Sequence, residues 1–346
     1  MVAISPPAKV LVTGANGYLA TWVVKKYLEA GYSVRGTVRS LSKSAFLVDK
    51  FANYGDRFEL VVVEDITKDG AFDEAVRGVD VIAHTASPFH YRSNNPDDLI
   101  IPAVRGTTSI LNSALKHGSN VKRVVLTSSV VAIFDLTSLP RIFNESDWND
   151  ASVEAVKTKG SAVSPYTIYQ ASKTLAEKAA WQFVAAHKSE ISWDLVAINP
   201  PWIFGPSLSP APTVDDINTS QREIYDTLTG ARTGAQLRGE GTWVHVAVVA
   251  EAHVRATHAV AAGGQRILVT SGPFFYQDFL DLAAELGIPN VSRGEPGSTK
   301  GLPFAITLET KKAEEVLGLM PATPLKDVLA ESVEDFKARG YAGFTA

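Results

Sequence analysis

Three side chains carry the chemistry open to this sequence: Ser129 in LTSS, and Tyr169 and Lys173 in SPYTIYQASK. Read as a helix, the second stretch is capped by Ser164, and Pro165 fits the first turn, where its missing N–H costs nothing. Tyr169 and Lys173 then stand four residues apart on one face, ~6 Å from each other. Tyr166 is seven residues from the lysine, about 10 Å along the axis, so Tyr169 is the tyrosine that can act with Lys173. A phenol at its ordinary pKa near 10 is a poor acid–base group at neutral pH. A lysine ammonium beside it is expected to stabilise the phenolate and lower that value. With Ser129 holding a carbonyl oxygen against Tyr169, the trio reads as a general-acid site on a carbonyl.

Those residues are distant in the chain, so the fold must assemble them. Apolar runs rich in β-branched residues predict strands buried on both faces: KVLVT (9–13), YSVRGTV (32–38), FELVVV (58–63), VDVIAHT (79–85), RVVLTSS (123–129) and WDLVAIN (193–199). Helical patterns lie between them, clearest in YLATWVVKKYLEAG, LIIPAVRGTTSILNSALKHG and YQASKTLAEKAAWQFVAAHK. The alternation implies right-handed crossovers and an α/β, doubly wound parallel sheet of Rossmann type. Such sheets bind ligands outside the carboxyl ends of their strands. There the fourth, fifth and sixth runs end in HTASP (84–88), LTSS (126–129) and NPPWIFGP (199–206).

Beyond NPPWIFGP the regularity fails. Residues 203–242 are rich in Pro, Ser and Thr, with one helical piece near SQREIYDTLTGA. Strand-like WVHVAVV (243–249) and RILVTSG (266–272) follow, then helices near 275–287 and 324–339. The expected organisation is a dinucleotide-binding domain over 1–202 plus 243–270 and a smaller, irregular C-terminal substrate domain over 203–242 plus 271–346.

The first strand runs into TGANGYLA, with glycines at Gly14 and Gly17 and Ala20 where a third would fall. A tight turn, close backbone approach and a helix N-terminus suit a pyrophosphate. NAD sites place an acid about 20 residues after the glycines. This chain has VRGTVRS there, with no acid before Asp49. Arg39 can pair with a 2′-phosphate and Lys43 can assist, so NADP is expected; the plain alternative for Arg39 is a surface arginine. Arg35 lies four residues back, roughly 13 Å along the strand, and is expected elsewhere. Asp65, just after the third strand, is placed to meet the adenine edge, with a helix cap as the plain alternative.

The chain of 346 residues is 45% hydrophobic and 20% charged, the balance of an ordinary globule. Its net charge of −4 argues against a nucleic-acid surface. Without cysteines there is no disulfide, thiol catalysis or cysteine-ligated metal. The seven histidines are scattered and read as structural, so no metal is expected. No apolar run approaches the ~18 residues that span a bilayer, and MVAISPPAKVLV lacks the pattern of a signal peptide. The expected setting is cytoplasmic, without membrane.

Taken together, TGANGYLA, HTASP, LTSS, YQASK, TLAEKAAW and NPPWIFGP resemble the extended short-chain dehydrogenase/reductase family. The chain is most similar to its dihydroflavonol-reductase-like branch and, within that, to fungal NADPH-dependent aldehyde, ketone and methylglyoxal reductases. The resemblance implies a catalytic triad of Ser129, Tyr169 and Lys173, with Lys173 also holding the nicotinamide ribose and the positive nicotinamide ring helping to stabilise the phenolate. It implies cofactor contacts along the matched motifs: Gly14, Asn16, Gly17, Tyr18 and Leu19; Ile66 beside Asp65; Thr85, Ala86 and Ser87; and Pro200, Trp202 and Ile203. It implies B-face hydride transfer to a small-molecule ketone or aldehyde, by a monomer or homodimer.

Phe134 stands where plant dihydroflavonol reductases carry an asparagine, and the signature of cinnamoyl-CoA reductases is missing. Phe89, Phe134 and Trp202 follow the strand ends and are expected to line a greasy substrate pocket, with core packing as the alternative. His245, Ala247 and Val248 replace residues often charged in relatives. Two other readings stay open: a dinucleotide-sensing regulatory protein, which has no use for the tyrosine–lysine pair, and a nucleotide-sugar epimerase or dehydratase, for which 203–242 shows no basic cluster.

Overall fold

The computed structural model describes residues 3–87, 94–136, 140–320 and 323–344. The strands are β1 (Lys9–Val12), β2 (Ser33–Val38), β3 (Phe58–Val62), β4 (Val81–His84), β5 (Arg123–Thr127), β6 (Arg141–Phe143), β7 (Asp194–Asn199), β8 (Trp202–Phe204), β9 (Glu240–His245), β10 (Arg266–Leu268), β11 (Gly272–Phe275) and β12 (Ile306–Leu308). The helices are α1 (Tyr18–Glu29), α2 (Ala45–Lys50), α3 (Asp97–His117), α4 (Asp150–Lys159), α5 (Pro165–Ala186), α6 (Thr219–Leu228), α7 (Val246–His258), α8 (Tyr276–Glu285), α9 (Lys311–Leu317) and α10 (Leu325–Ala338).

Seven strands form one sheet in the order β10-β7-β5-β4-β1-β2-β3, every neighbouring pair parallel. β4 is buried along its whole length, as a strand covered on both faces requires. One face is covered by α1 and α7, whose Val24, Tyr27, Ala250 and Val254 meet Val10, Val12 and Val34. The other is covered by α3 and α5, through Ile110, Leu111 and Ala180 against Leu11, Ile82 and Val124. The strand order reverses between β1 and β4, which is the place where such sheets open a crevice. The doubly wound fold expected from the sequence is the fold observed.

After β7 the chain leaves the sheet and builds a smaller one, β11-β9-β8. Phe204, Phe274, Phe279, Phe336, Tyr341 and Phe344 pack there with Ile224 of α6 and Val328 of α10. Between β9 and β11 the chain passes through α7 and rejoins the first sheet as β10 beside β7. β12 pairs with β6, joining residues far apart in sequence.

The reading of WVHVAVV as one strand needs correction. β9 ends at His245, and Val246 begins α7. His245 Nδ1 accepts the Ala247 N–H at 3.1 Å, capping the helix, while its Nε2 reaches Glu331 Oε2 at 3.0 Å. The position that departs from charged relatives therefore still ties α7 to α10.

α7 docks through buried polar groups. Arg123 is fully buried, grips Asp194 with two bonds of 2.6 and 2.8 Å, and donates to the carbonyls of Ala256 and Ala259 at the helix end. His253 donates from Nδ1 to the Val249 carbonyl at 2.8 Å and lies 2.7 Å from Thr127 Oγ1. Burial pushes this imidazole down from 6.5 to about 4. A group held neutral in the fold stabilises it fully above its unfolded pKa and loses that contribution as pH falls towards the folded value. Between about pH 6.5 and about pH 4 the loss from His253 is on the order of 3 kcal/mol. Thermal melts across that window should fall more steeply for the wild type than for His253→Gln, which keeps a donor and an acceptor but no titration. Equal slopes would remove His253 from the acid response.

Candidate active site

Helix α5 begins as its sequence requires. The Ser164 side chain accepts the Thr167 N–H at 3.1 Å and Pro165 occupies the first turn. This register places Tyr169 and Lys173 on one face, with Lys173 Nζ 6.0 Å from the Tyr169 ring centre. At the end of β5, Ser129 hydrogen-bonds with Tyr169. Ser129 and Tyr169 are each only 8% exposed.

A cavity of about 610 Å³ joins these residues to the glycine loop. Gly14, Gly17, Tyr18 and Leu19 line it from the loop, Thr85 and Ser87 from beyond β4, and Ser129 and Phe134 from beyond β5. Tyr169 and Lys173 line it from α5, and Pro200, Trp202 and Ile203 from the start of β8. Gly14 has φ +65°, and a Cβ there would stand 3.2 Å from Ala86 Cβ, so both backbone and space require glycine. Gly17 caps α1 with no side-chain acceptor, and the first turn holds no acid, leaving that helix end open to an anion.

Other expected residues stand outside the lining. Ala86 gives its N–H to Thr13 Oγ1 at 3.0 Å, and Asn16 offers its carbonyl to Ser209. Ile66 packs where a Cβ on Gly106 of α3 would be 2.8 Å from its Cδ1. Asp65 Oδ1 accepts the Thr67 N–H and hydroxyl, so this end of the carboxylate caps a turn rather than the helix weighed as its alternative. Arg39 and Lys43 are exposed beyond β2; neither makes an ion pair among the described residues, although the Arg39 charge reaches Asp65. Arg35 is held by Glu59 at 2.7 Å, away from the cavity as expected. Phe89 lies outside the described residues.

The electrostatics correct one expectation. Lys173 was expected to pull the Tyr169 phenol down. Instead burial pushes that phenol well above its usual range; the Ser129 hydrogen bond opposes the rise and neighbouring Tyr166 adds to it. Desolvation brings Lys173 down from 10.5 to about 8, and its Nζ donates to Ser87 Oγ at 2.9 Å. Thr13 Oγ1 accepts the N–H groups of Thr85 and Ala86, so its own proton goes to His84 Nδ1 at 3.0 Å. Burial, helped by Lys173, holds His84 at about 3 and therefore neutral.

Sequence reasoning missed much of the opposite wall. Tyr166, Asn218, Glu240, Thr242, Tyr276 and Ile306 also line the cavity. Glu240 is no free anchor, since its carboxylate accepts the N–H groups of Ala305 and Ile306 at 2.8 and 3.0 Å. The only signal for this wall was the irregular, hydroxyl-rich segment 203–242. Among the described residues no acid–histidine group could hold a metal, and no helix is long and apolar enough to cross a membrane.

The profile of the 3-beta hydroxysteroid dehydrogenase/isomerase family matches residues 11–281. The chain belongs to that family. It is 39% identical to a ketoreductase of Aspergillus niger over 273 residues, 77% of this chain and 78% of that protein. It is 35% identical to an NADPH-dependent methylglyoxal reductase of Saccharomyces cerevisiae over 89% of this chain and 92% of that protein. The crystal structure of yeast methylglyoxal/isovaleraldehyde reductase complexed with NADPH superposes with a TM-score of 0.86, at 32% identity, over 96% of this chain and 99% of that one. The resemblance to extended short-chain dehydrogenase/reductases read from the motifs therefore holds.

In this family member Phe134 combines the two roles weighed for it. It lines the cavity, yet is 5% exposed and packs on Phe143 with ring centres 6.2 Å apart. Phe134→Ala should cost about 3–5 kcal/mol, while half-buried Trp202 should tolerate Ala better. Denaturant melts of the two variants check this; equal midpoints would show that Phe134 is not a core residue.

Proposed function

We propose that this protein is an NADPH-dependent carbonyl reductase that converts an uncharged ketone or aldehyde to the alcohol, with Tyr169 as the proton donor. The observation that carries the reading is the Ser129–Tyr169–Lys173 constellation in one buried cleft that runs to the glycine loop. NADPH, when bound, supplies the hydride. The residues present fit it: Gly14, Gly17, Tyr18 and Leu19 can take the pyrophosphate against the open end of α1, and Lys173 with Pro200, Trp202 and Ile203 can hold the nicotinamide half. Arg39 and Lys43, free of ion pairs among the described residues, suit a 2′-phosphate.

Ser129 would donate a hydrogen bond to the substrate oxygen and seat it beside Tyr169. The raised pKa keeps Tyr169 protonated, the state a donor needs, and a forming alkoxide is basic enough to take that proton. Lys173, charged below about pH 8, lies near enough to steady the phenolate left behind. It is also the one cation among the described lining residues. That favours neutral carbonyl compounds over acids or CoA esters, and tells against a sugar-nucleotide epimerase, which must hold a second pyrophosphate. The reading goes with a cytoplasmic enzyme acting as monomer or homodimer.

Two substitutions test the reading. Tyr169→Phe should lower kcat by ~10²-fold or more with NADPH affinity nearly intact, whereas Tyr166→Phe should be mild. NADPH oxidation against methylglyoxal, aliphatic aldehydes, aryl ketones and β-ketoesters measures both, and a reversed order would reject Tyr169 as the donor. Arg39→Ala should weaken NADPH by ~10-fold, as expected for one charge-assisted bond to phosphate, and barely touch NADH. Equal losses for the two cofactors in a binding titration would remove Arg39 from the phosphate site.

A further inference from the structure

Glu177 lies on α5 one turn past Lys173 and two past Tyr169, and is 1% exposed. Its carboxylate is saturated with donors. Oε2 accepts Ser128 Oγ–H at 2.5 Å, Asn199 Nδ2 at 2.8 Å and Arg266 Nη2 at 3.3 Å. Oε1 accepts Arg266 Nε at 2.6 Å and Trp181 Nε1 at 3.2 Å. Arg266 is fixed in turn: it donates to the carbonyls of Glu145 and Asp147 at 2.8 and 2.6 Å, and its guanidinium sits 3.6 Å over the Trp148 ring.

The network meets the reacting groups from behind. Ser128 precedes Ser129 in the chain, and Asn199 Nδ2 also donates to the Ser129 carbonyl at 3.1 Å. Both bonds of Nδ2 go to acceptors, which fixes the amide's orientation and leaves Oδ1 buried with no partner among the described residues. An orphaned buried acceptor costs free energy, as does the burial of an ion pair that apolar packing often replaces without loss. Stability alone is therefore a poor account of this arrangement. A carboxylate offers about four lone-pair sites; with four donor residues on it, Ser128 has one available rotamer and the backbone at Ser129 one position.

We propose that Glu177 is a positioning residue for the reduction: through Ser128 and Asn199 it locks the end of β5 so that Ser129 Oγ meets Tyr169 on the same helix that carries Glu177. The inference rests on the reductase reading for Ser129 and Tyr169 as the reacting pair. A loose β5 end would leave Ser129 displaced, and small displacements of a positioning group cost up to ~10²-fold in rate.

The test uses Ser128→Ala, which removes one hydrogen bond and keeps the Glu177–Arg266 pair, and Glu177→Gln, whose NH2 group must turn away the donors now on one of the two oxygens. Expected are a kcat about 10-fold lower for Ser128→Ala and up to ~10²-fold lower for Glu177→Gln, per folded molecule, with NADPH affinity unchanged. The double variant should be no worse than Glu177→Gln alone, since Ser128 acts only through its bond to Glu177. A second readout needs no turnover: the Tyr169 ring carbon resonance in tyrosine-labelled protein, assigned with Tyr169→Phe, should move in Ser128→Ala in the direction it moves in Ser129→Ala. Where Glu177→Gln does not fold, Ser128→Ala carries both measurements. An unmoved resonance with unchanged kcat, or fully additive losses, overturns the proposal. A wild type inert towards every carbonyl would sink the reductase reading, and the resonance would still decide the role of Glu177.

Discussion

One stripe of helix α5 sets the geometry on which the site depends. Tyr169, Lys173 and Glu177 follow one another at single turns, so a rigid element fixes their separation before any tertiary contact forms. The stripe faces the carboxyl ends of β5 and β7, and each of its members takes a different partner there: Ser129, Ser87 beyond β4, and Ser128 with Asn199. Three strand ends are thereby referred to one helix. Rotating or sliding α5 would spoil all of these contacts together, and its close packing on α3 across the sheet face resists that.

The same burial explains why charge counting gave the wrong sign for Tyr169. Reasoning from sequence sees a phenol and an ammonium four residues apart and concludes that the phenolate is favoured. It does not see that both sit in a cleft where each pays desolvation, which for the phenol exceeds what its neighbours return. The lysine responds to the same environment by giving up its proton more easily. Burial therefore moves the two groups apart in proton affinity: from nearly equal ordinary values Tyr169 goes up and Lys173 comes down, each towards its neutral form. For the proposed reduction the useful consequence is that the donor stays loaded, because a phenol poised to ionise would lose its proton before substrate arrived.

The sheet was legible because strands buried on both faces carry continuous apolar runs, Val81 to Ala83 in β4 and Val124 to Leu126 in β5, and the glycine loop because Gly14 needs both positive φ and room beside Ala86. The register of α5 was legible from Ser164 and Pro165. What escaped reading was decided by partners remote in sequence. β6 and β12 are three residues each and exist only by pairing. Val246 to Val249 has strand propensity, yet it turns helical because His245 caps the first turn and Val249 fits the core between β5 and β7. Glu177 looked like any charge on a helix until Arg266, almost ninety residues away, came to rest against it.

That division of labour separates chemistry from choice of substrate. Residues proposed to react sit on the parallel sheet and α5, held by a polar network with few free rotamers. The facing wall, with Thr242 and Tyr276, hangs on the smaller sheet, whose aromatic core of Phe204, Phe274 and Phe279 is independent of that network. Glu240 shows how the two are stapled without intruding on the cleft: its carboxylate takes the backbone of Ala305 and Ile306, so a charge at the cavity edge presents no free oxygen pair to a substrate. Changes on that wall can alter which carbonyl substrate fits while Ser129 and Tyr169 are held from the other side, by the end of β5 and by α5. A fold built this way can vary its specificity through one lobe without rebuilding the acid that serves it.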